Sequence, residues 1–370
     1  MERVAGRLIL DDRVVAGALT IADGLITDVG LETSSTADGP FISPGFVDVH
    51  VHGWGGHSAM GDRAALEGMA RALLRRGVTS FLPTAVSAPL DELAAFAERV
   101  RSWMPAAPDD GAEPLGFNLE GPFLAQARRG AHDPAFLLTP DAVPSDLLKG
   151  LVKSLRVITI APDLPGALPL IALLAARGVV VSLGHSGATI DEGRDGYSAG
   201  ARSTTHMFNA MTGVDHRAPG LAVAALLDDR IYAELIADGI HVDRTLWPLI
   251  ARLKPVERLL LVSDAIPLAG TGNGRGRLGS LDIEIHGERV TLAGTTTLAG
   301  SVLCLDKAVR NMVGAGIALP AAVAAATRNP LEMLGIRDRG RLAPGQRADL
   351  VELDADLNVR RVMRAGNWIS

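Results

Sequence analysis

The chain runs through two hydrophobic rhythms. From Val4 to about Gly30, short apolar runs are separated by the turn signals Asp11-Asp12 and Asp23-Gly24, the pattern of consecutive strands joined by tight turns. The far end, RLAPGQRADLVELDADLNVRRVMRAGNWIS, repeats it, with Pro344-Gly345 and the stretch near Asp354 as turns. The two ends therefore predict one small β-sandwich domain built from residues 1–43 and 336–370. A further hairpin, GSLDIEIHGERVTLAG between Gly279 and Gly294, either joins that sandwich or covers it.

Over 44–335 the rhythm changes to β-rich apolar runs alternating with helical segments such as DRAALEGMARALLRRG and LPLIALLAARG, the signature of βα units around a parallel sheet. The candidate strands are FVDVHVHG from Phe46, TSFLPTA from Thr79, GFNLEG from Gly116, RVITIAPD from Arg156, VVVSLGH from Val179, RSTTHMFN from Arg202, IYAELIAD from Ile231 and LLLVSDA from Leu259. Eight such units in a row, with no dinucleotide-type glycine fingerprint opening the series, predict an α/β fold of the (β/α)8 TIM-barrel type.

Most of these runs are apolar and then end in an ionisable residue. His50 and His52, Glu120, His185, His206, Asp238 and Asp264 all fall at or just past strand ends, and in such a barrel those ends converge on one rim, where active sites are built. His50 and His52 alternate on a strand, so both rings face the same side, as a shared metal requires. An isolated pair would as readily be two hydrogen-bonded rim histidines; the company of Glu120, His185 and His206 shifts the balance to a divalent metal. Imidazole and carboxylate donors suit Zn2+ or Fe2+. Glu120 can bridge two metals or complete one site. Asp264 can cap the next turn or, beside an activated water, take its proton and deliver it to a leaving amine.

Composition narrows the partners. A chain of 370 residues, 48% hydrophobic and 21% charged, is globular. Its net charge of -6, with Lys and Arg scattered, offers no field for nucleic acid, so an anionic ligand must be met by a few placed cations. Arg217, before Ala218-Pro219-Gly220, is a candidate for bidentate pairing with phosphate or carboxylate, and reads equally well as an exposed arginine. His132 and His241 lie in loops after strands, where they can contact substrate; His57 and His286 read as ordinary, and His216 is left open. GTGNGRGRLG, from Gly270 to Gly279, lacks the Lys-Ser/Thr pair of a phosphate-binding loop and is expected to be a flexible loop over the mouth. Cys304 has no cysteine to pair with, no leader pattern opens the chain, and no apolar run reaches membrane-spanning length, so a cytoplasmic protein is expected.

The segments PGFVDVHVHG, LEGPF, GAHDP, LGHS, THMFNAM, DGIHVD and VSDA, in this order from about Ile42 to Gly300, resemble the N-acetylglucosamine-6-phosphate deacetylases of the amidohydrolase superfamily. PGFVDVHVHG marks only the superfamily; LEGPF followed by GAHDP and HMFNAM belongs to the deacetylase branch. The resemblance implies metal ligation by Glu120, His185 and His206, with His50 and His52 serving a second metal, hence one or two ions per subunit. It also implies Asp264 as general base and acid and Ala131 and His132 near the substrate carbonyl. Asn209, Ala210, Arg217 and His241 would lie on the sugar phosphate, with Leu298, Ala299 and Gly300 as a further contact. The activity implied is hydrolysis of the acetamide of N-acetylglucosamine 6-phosphate in amino-sugar recycling, by a homodimer in which Arg217 can serve the neighbouring site.

Two other readings compete. Cyclic-amide hydrolases of the same superfamily share the His50-Val51-His52 pattern but rely on a carboxylated lysine at the fourth strand end. Here that strand reads RVITIAPD and the nearest upstream lysine, Lys153, precedes it. A catalytically silent barrel serving as a scaffold would be expected to have lost ligands, and none of the expected ones is missing.

Overall fold

The computed structural model describes residues 1–31, 39–143 and 150–369. All eight predicted runs form strands of one sheet: Phe46–Val51, Val78–Ala85, Phe117–Glu120, Leu155–Ile160, Val180–Leu183, Ser203–Thr204, Tyr232–Leu235 and Leu259–Leu261. Neighbours pair in parallel throughout, with helices between most of them. The eighth strand meets the first through backbone bonds just beyond its end. Asp264 N–H donates to the His50 carbonyl at 2.9 Å, and His52 and Gly53 N–H donate to the Ala265 carbonyl at 2.8 and 3.0 Å. The seam of the barrel therefore lies among the residues expected to do chemistry.

Local sequence accounts for the elements that carry these strands. In the helix Arg63–Leu74, the Asp62 side chain accepts from Ala65 N–H at the N-cap, and Leu66, Met69, Ala70, Leu73 and Leu74 form the buried stripe. The helix Ile190–Ser198 opens on a capping box, Thr189 and Glu192 each satisfying the other's backbone N–H. Full burial of one such leucine contributes about 1.5–3 kcal/mol.

Strands from both chain ends form a separate seven-stranded sheet. Its order is Asn367–Ile369, Val359–Arg364, Leu350–Leu353, Phe41–Pro44, Glu2–Ile9, Val14–Ala22 and Leu25–Leu31. It has its own apolar core, including Leu8, Leu19, Ile26, Ile42, Leu350 and Met363. Only Gly45 separates the strand Phe41–Pro44 from the first barrel strand. A side chain on Gly45 would meet Thr79 at 2.1 Å, so the passage from one sheet to the other requires glycine.

The hairpin after the barrel seam joins neither large sheet. Gly274–Leu278, Leu281–His286 and Arg289–Leu292 form their own antiparallel sheet. Half of the stretch expected to be a flexible loop is thus an edge strand, because residues 274–278 find a register against 281–285. Gly276 is packed where a Cβ would meet Leu268 at 2.6 Å. Ser280 Oγ donates to Asp133 at 2.8 Å, which ties this sheet to the loop after the third barrel strand. Among the described residues no helix is long and apolar enough to cross a membrane.

Candidate metal centre

The polar strand ends meet in a cavity of about 350 Å³ at the carboxyl end of the barrel. Three of the residues that face it leave their strands in the left-handed backbone region: His185 at φ 48°, His206 at φ 26° and Asp264 at φ 50°. Each such conformation costs a non-glycine residue about 1–3 kcal/mol and persists only where the surroundings impose it. Phe208 and Ala210, at φ 74° and 49°, extend the strained stretch past His206.

Two groups of side chains place their ligand atoms within 4.8 Å of one another: His50, His52, Glu120 and Asp264, and Glu120, His185 and His206. Glu120 belongs to both. Its Oε1 lies 3.0 Å from His185 Nε2, 2.9 Å from His206 Nε2 and 3.5 Å from His50 Nε2, and its Oε2 lies 3.3 Å from His52 Nε2. Asp264 Oδ1 stands 3.1 Å from His52 Nε2 and 3.7 Å from His50 Nε2.

The outer nitrogens of these rings decide what the inner ones are. His185 Nδ1 lies 2.9 Å from the Arg128 carbonyl, His52 Nδ1 3.1 Å from the Thr84 carbonyl, and His50 Nδ1 3.2 Å from Glu234 Oε2. All three partners only accept, so in each ring the proton of the neutral imidazole sits on Nδ1 and the Nε2 lone pair points inward. Those lone pairs face carboxylate oxygens, and His185 Nε2 also faces His206 Nε2 at 3.0 Å. Acceptor against acceptor is repulsive unless a positive charge is shared between them. His50 Nε2 is buried without a hydrogen-bond partner. The donor set fits a divalent cation, with histidine nitrogen and carboxylate oxygen as ligands and carbonyl or carboxylate groups behind the rings.

His132 is built the opposite way. Ser87 N–H donates to its Nδ1 at 3.2 Å, so that nitrogen carries the lone pair and the proton sits on Nε2, 3.0 Å from Glu120 Oε2. It therefore presents a donor to the cavity where the others present acceptors. Burial lowers its pKa even though Glu120 stands beside it. Burial works against ionisation of both carboxylates, yet the surrounding histidines, His132 and His50 first, hold Glu120 well below the usual carboxylate range, and a hydrogen bond from the doubly protonated His52 ring of the metal-free protein holds Asp264 below it.

Of the other expected contacts, Ala131, His132, Asn209, Ala210, His241, Leu298 and Gly300 line the cavity. Ala299, between the last two, is buried and its N–H donates to Val290 O at 3.2 Å. Arg217 does not line the cavity; it is exposed in a loop whose backbone folds back on Asp215, with Arg217 N–H donating to Oδ1 at 2.8 Å. Asp238 grips His241, its Oδ2 2.7 Å from Nδ1. Three groups escaped the reading of the sequence. Ser87 sets the His132 tautomer, Glu234 backs His50, and Arg128 lines the cavity as its only Lys or Arg among the described residues. Arg128 stands in the Arg128-Arg129 pair before GAHDP, which was a visible signal; Glu234 lies inside an apolar run and was not.

Residues 41–369 match the amidohydrolase family. The chain is 38% identical to the N-acetylgalactosamine-6-phosphate deacetylase of Escherichia coli O157:H7 over 358 residues, covering 95% of this chain and 94% of that one. It is 38% identical to the N-acetylglucosamine-6-phosphate deacetylase of Bos taurus over 350 residues, covering 90% and 84%. Among solved structures, a mutant N-acetyl-D-glucosamine-6-phosphate deacetylase from Mycobacterium smegmatis in complex with N-acetyl-D-glucosamine-6-phosphate superposes with a TM-score of 0.91 at 36% identity, over 99% of this chain and 98% of that one.

Proposed function

The chain belongs to the amidohydrolase family and, within it, to the N-acetylglucosamine-6-phosphate deacetylases, and from that premise we propose that it hydrolyses the acetamide of N-acetylglucosamine 6-phosphate to glucosamine 6-phosphate and acetate. The observation that carries this reading is the inward turn of three imidazole lone pairs onto Glu120 and Asp264 in the floor of the cavity. That floor is arranged for a divalent ion and for nothing neutral.

Glu120, His185 and His206 would hold one ion, and His50 and His52, sharing Glu120 and Asp264, a second; Zn2+ or Fe2+ matches these donors. Bound there, such an ion polarises an amide carbonyl and lowers the pKa of a water toward about 7. Asp264, at the end of the last barrel strand, accepts the proton of the attacking water and returns it to the departing nitrogen. His132, with its proton on Nε2, donates to the carbonyl oxygen as negative charge develops on it. Asp238 fixes the His241 ring, which with Asn209, Ala210 and Leu298 to Gly300 receives the sugar and its phosphate. Arg128 supplies a cation within the subunit. Arg217, outside the cavity, serves the site of a neighbouring subunit, and a cytoplasmic homodimer is the form we assign.

The relatives carry names for both C4 epimers of the substrate. Acetate release should therefore be followed on N-acetylglucosamine 6-phosphate and N-acetylgalactosamine 6-phosphate side by side. Turnover of the gluco sugar supports the assignment; turnover of the galacto sugar alone moves it to the epimer, and acetate from neither refutes it.

A further inference from the structure

Glu234 is fully buried in the middle of the seventh barrel strand, Tyr232–Leu235, where the run YAEL is otherwise free of charge. A carboxylate at such a position is costly to desolvate and is retained only with compensation. Among the described residues no lysine or arginine supplies it; the ion pair that Glu234 makes is with His50. Its Oε2 stands 3.2 Å from His50 Nδ1 and also accepts the backbone N–H of His206 at 3.2 Å, while Oε1 has no hydrogen-bond partner. One oxygen thus braces a ring of the first half of the cluster and the strained backbone of the second.

The three rings whose outer nitrogens are engaged are not backed alike. His52 and His185 lean on neutral carbonyls, those of Thr84 and Arg128, whereas His50 leans on an anion. A carboxylate behind an imidazole fixes its tautomer and makes the inward nitrogen a stronger donor to a cation. The inward nitrogen of His50 is buried without a hydrogen-bond partner among the described residues, with Glu120 Oε1 and Asp264 Oδ1 at 3.5 and 3.7 Å. Three buried carboxylates stand against the rings of the cluster, Glu120, Asp264 and Glu234, and a fourth, Asp48, accepts the backbone N–H of His50. A single divalent ion leaves them with excess negative charge, which favours a second.

We infer that Glu234 is a positioning residue that determines whether the His50/His52 half of the cluster takes a metal ion. This rests on the metal-dependent reading above and predicts a split between the two half-sites. Chelator-stripped protein is titrated with Zn2+ in competition with a chromophoric chelator, and the bound metal is counted by mass spectrometry. Wild type should take two equivalents. Glu234→Gln should keep the equivalent held by Glu120, His185 and His206 and bind the other about 10- to 100-fold more weakly, as His50→Asn does more completely. Two equivalents with unchanged affinities in Glu234→Gln overturn the inference, as does an equal loss at both half-sites with a lowered melting temperature of the metal-free protein, the mark of a structural role. Wild type taking a single equivalent also overturns it, whereas wild type taking none overturns the metal-dependent reading itself. Should the variant fail to fold, nitrogen-15 histidine spectra of the zinc-loaded wild type decide: a proton on His50 Nδ1 is expected, and its absence contradicts the proposal.

Discussion

The floor of the cavity and its rim are built on different principles. Floor residues are almost wholly buried, come mostly from strand ends, and four of their rings are held from behind: His52 by Thr84, His185 by Arg128, His50 by Glu234 and His132 by Ser87. At the rim, Arg217 is exposed in a loop, outside the cavity, and Arg128 makes its fixed contact through its carbonyl rather than its guanidinium. A preorganised floor suits bond-breaking, where a small displacement is costly. A rim of long cations suits recognition of a charged, mobile end of a ligand.

Breaking the floor should do the most damage. Glu120→Ala removes the one carboxylate common to both groups of ligands, so metal retention should be lost at both half-sites and turnover should fall to background, as metal counting and acetate assay together will show. Asp264→Asn should reduce kcat by about 10²- to 10⁴-fold while the metal held by Glu120, His185 and His206 is retained. Unchanged turnover would remove Asp264 from the reaction. His132→Phe should leave metal content intact and lower kcat by about 10²- to 10³-fold; loss of metal instead would make His132 a ligand.

Breaking the rim should act on recognition. Removing one charge-assisted contact costs about 1.5–3 kcal/mol, so Arg128→Ala should raise KM for the phosphorylated sugar roughly tenfold or more with kcat little changed. Arg217→Ala should do the same, and if it serves a neighbouring site, mixing inactive Asp264→Asn chains with Arg217→Ala chains should restore some sites with the low KM. A KM left unchanged by both variants would put phosphate recognition elsewhere.

The smallest expected effect is one of pH. Burial alone would push the His52 imidazolium down, but hydrogen bonds to Asp264 and Glu120 and their charges carry it up to about 9 in the metal-free protein. Because this lies above its usual 6.5, the stabilisation is fully present below about pH 6.5 and is lost as pH rises through about 9. The same proton competes with metal for Nε2, so reloading of the stripped protein should tighten between pH 7 and 9 with release of a proton. A flat affinity over that range would contradict a shared proton at His52.

The same division between floor and rim decided what could be read from the sequence. Apolar runs ending in His50, Glu120, His185, His206 and Asp264 announced both the barrel strands and the groups at their ends, because burial on both faces and convergence at one rim leave that imprint on each strand separately. What lay across the barrel left none. Glu234 and His50 are 184 residues apart, and the Thr84 and Arg128 groups that orient His52 and His185 are backbone carbonyls that any residue would supply. The strands within 281–292 were legible as a hairpin, whereas the edge strand Gly274–Leu278 was not, since it is rich in glycine and carries little hydrophobic pattern. Arg217 and Arg128 look alike in sequence as exposed basic residues, and only the folded chain separates the one inside the cavity from the one outside it.

The most direct test joins floor and rim in one assay: initial rates of acetate release from N-acetylglucosamine 6-phosphate and from unphosphorylated N-acetylglucosamine, each with native, chelator-treated and metal-restored protein. Rapid release from the phosphorylated sugar, abolished by the chelator, recovered with Zn2+ or Fe2+, and far slower without the phosphate, is the predicted result. Equal rates on the two sugars, or release that survives removal of the metal, would contradict it.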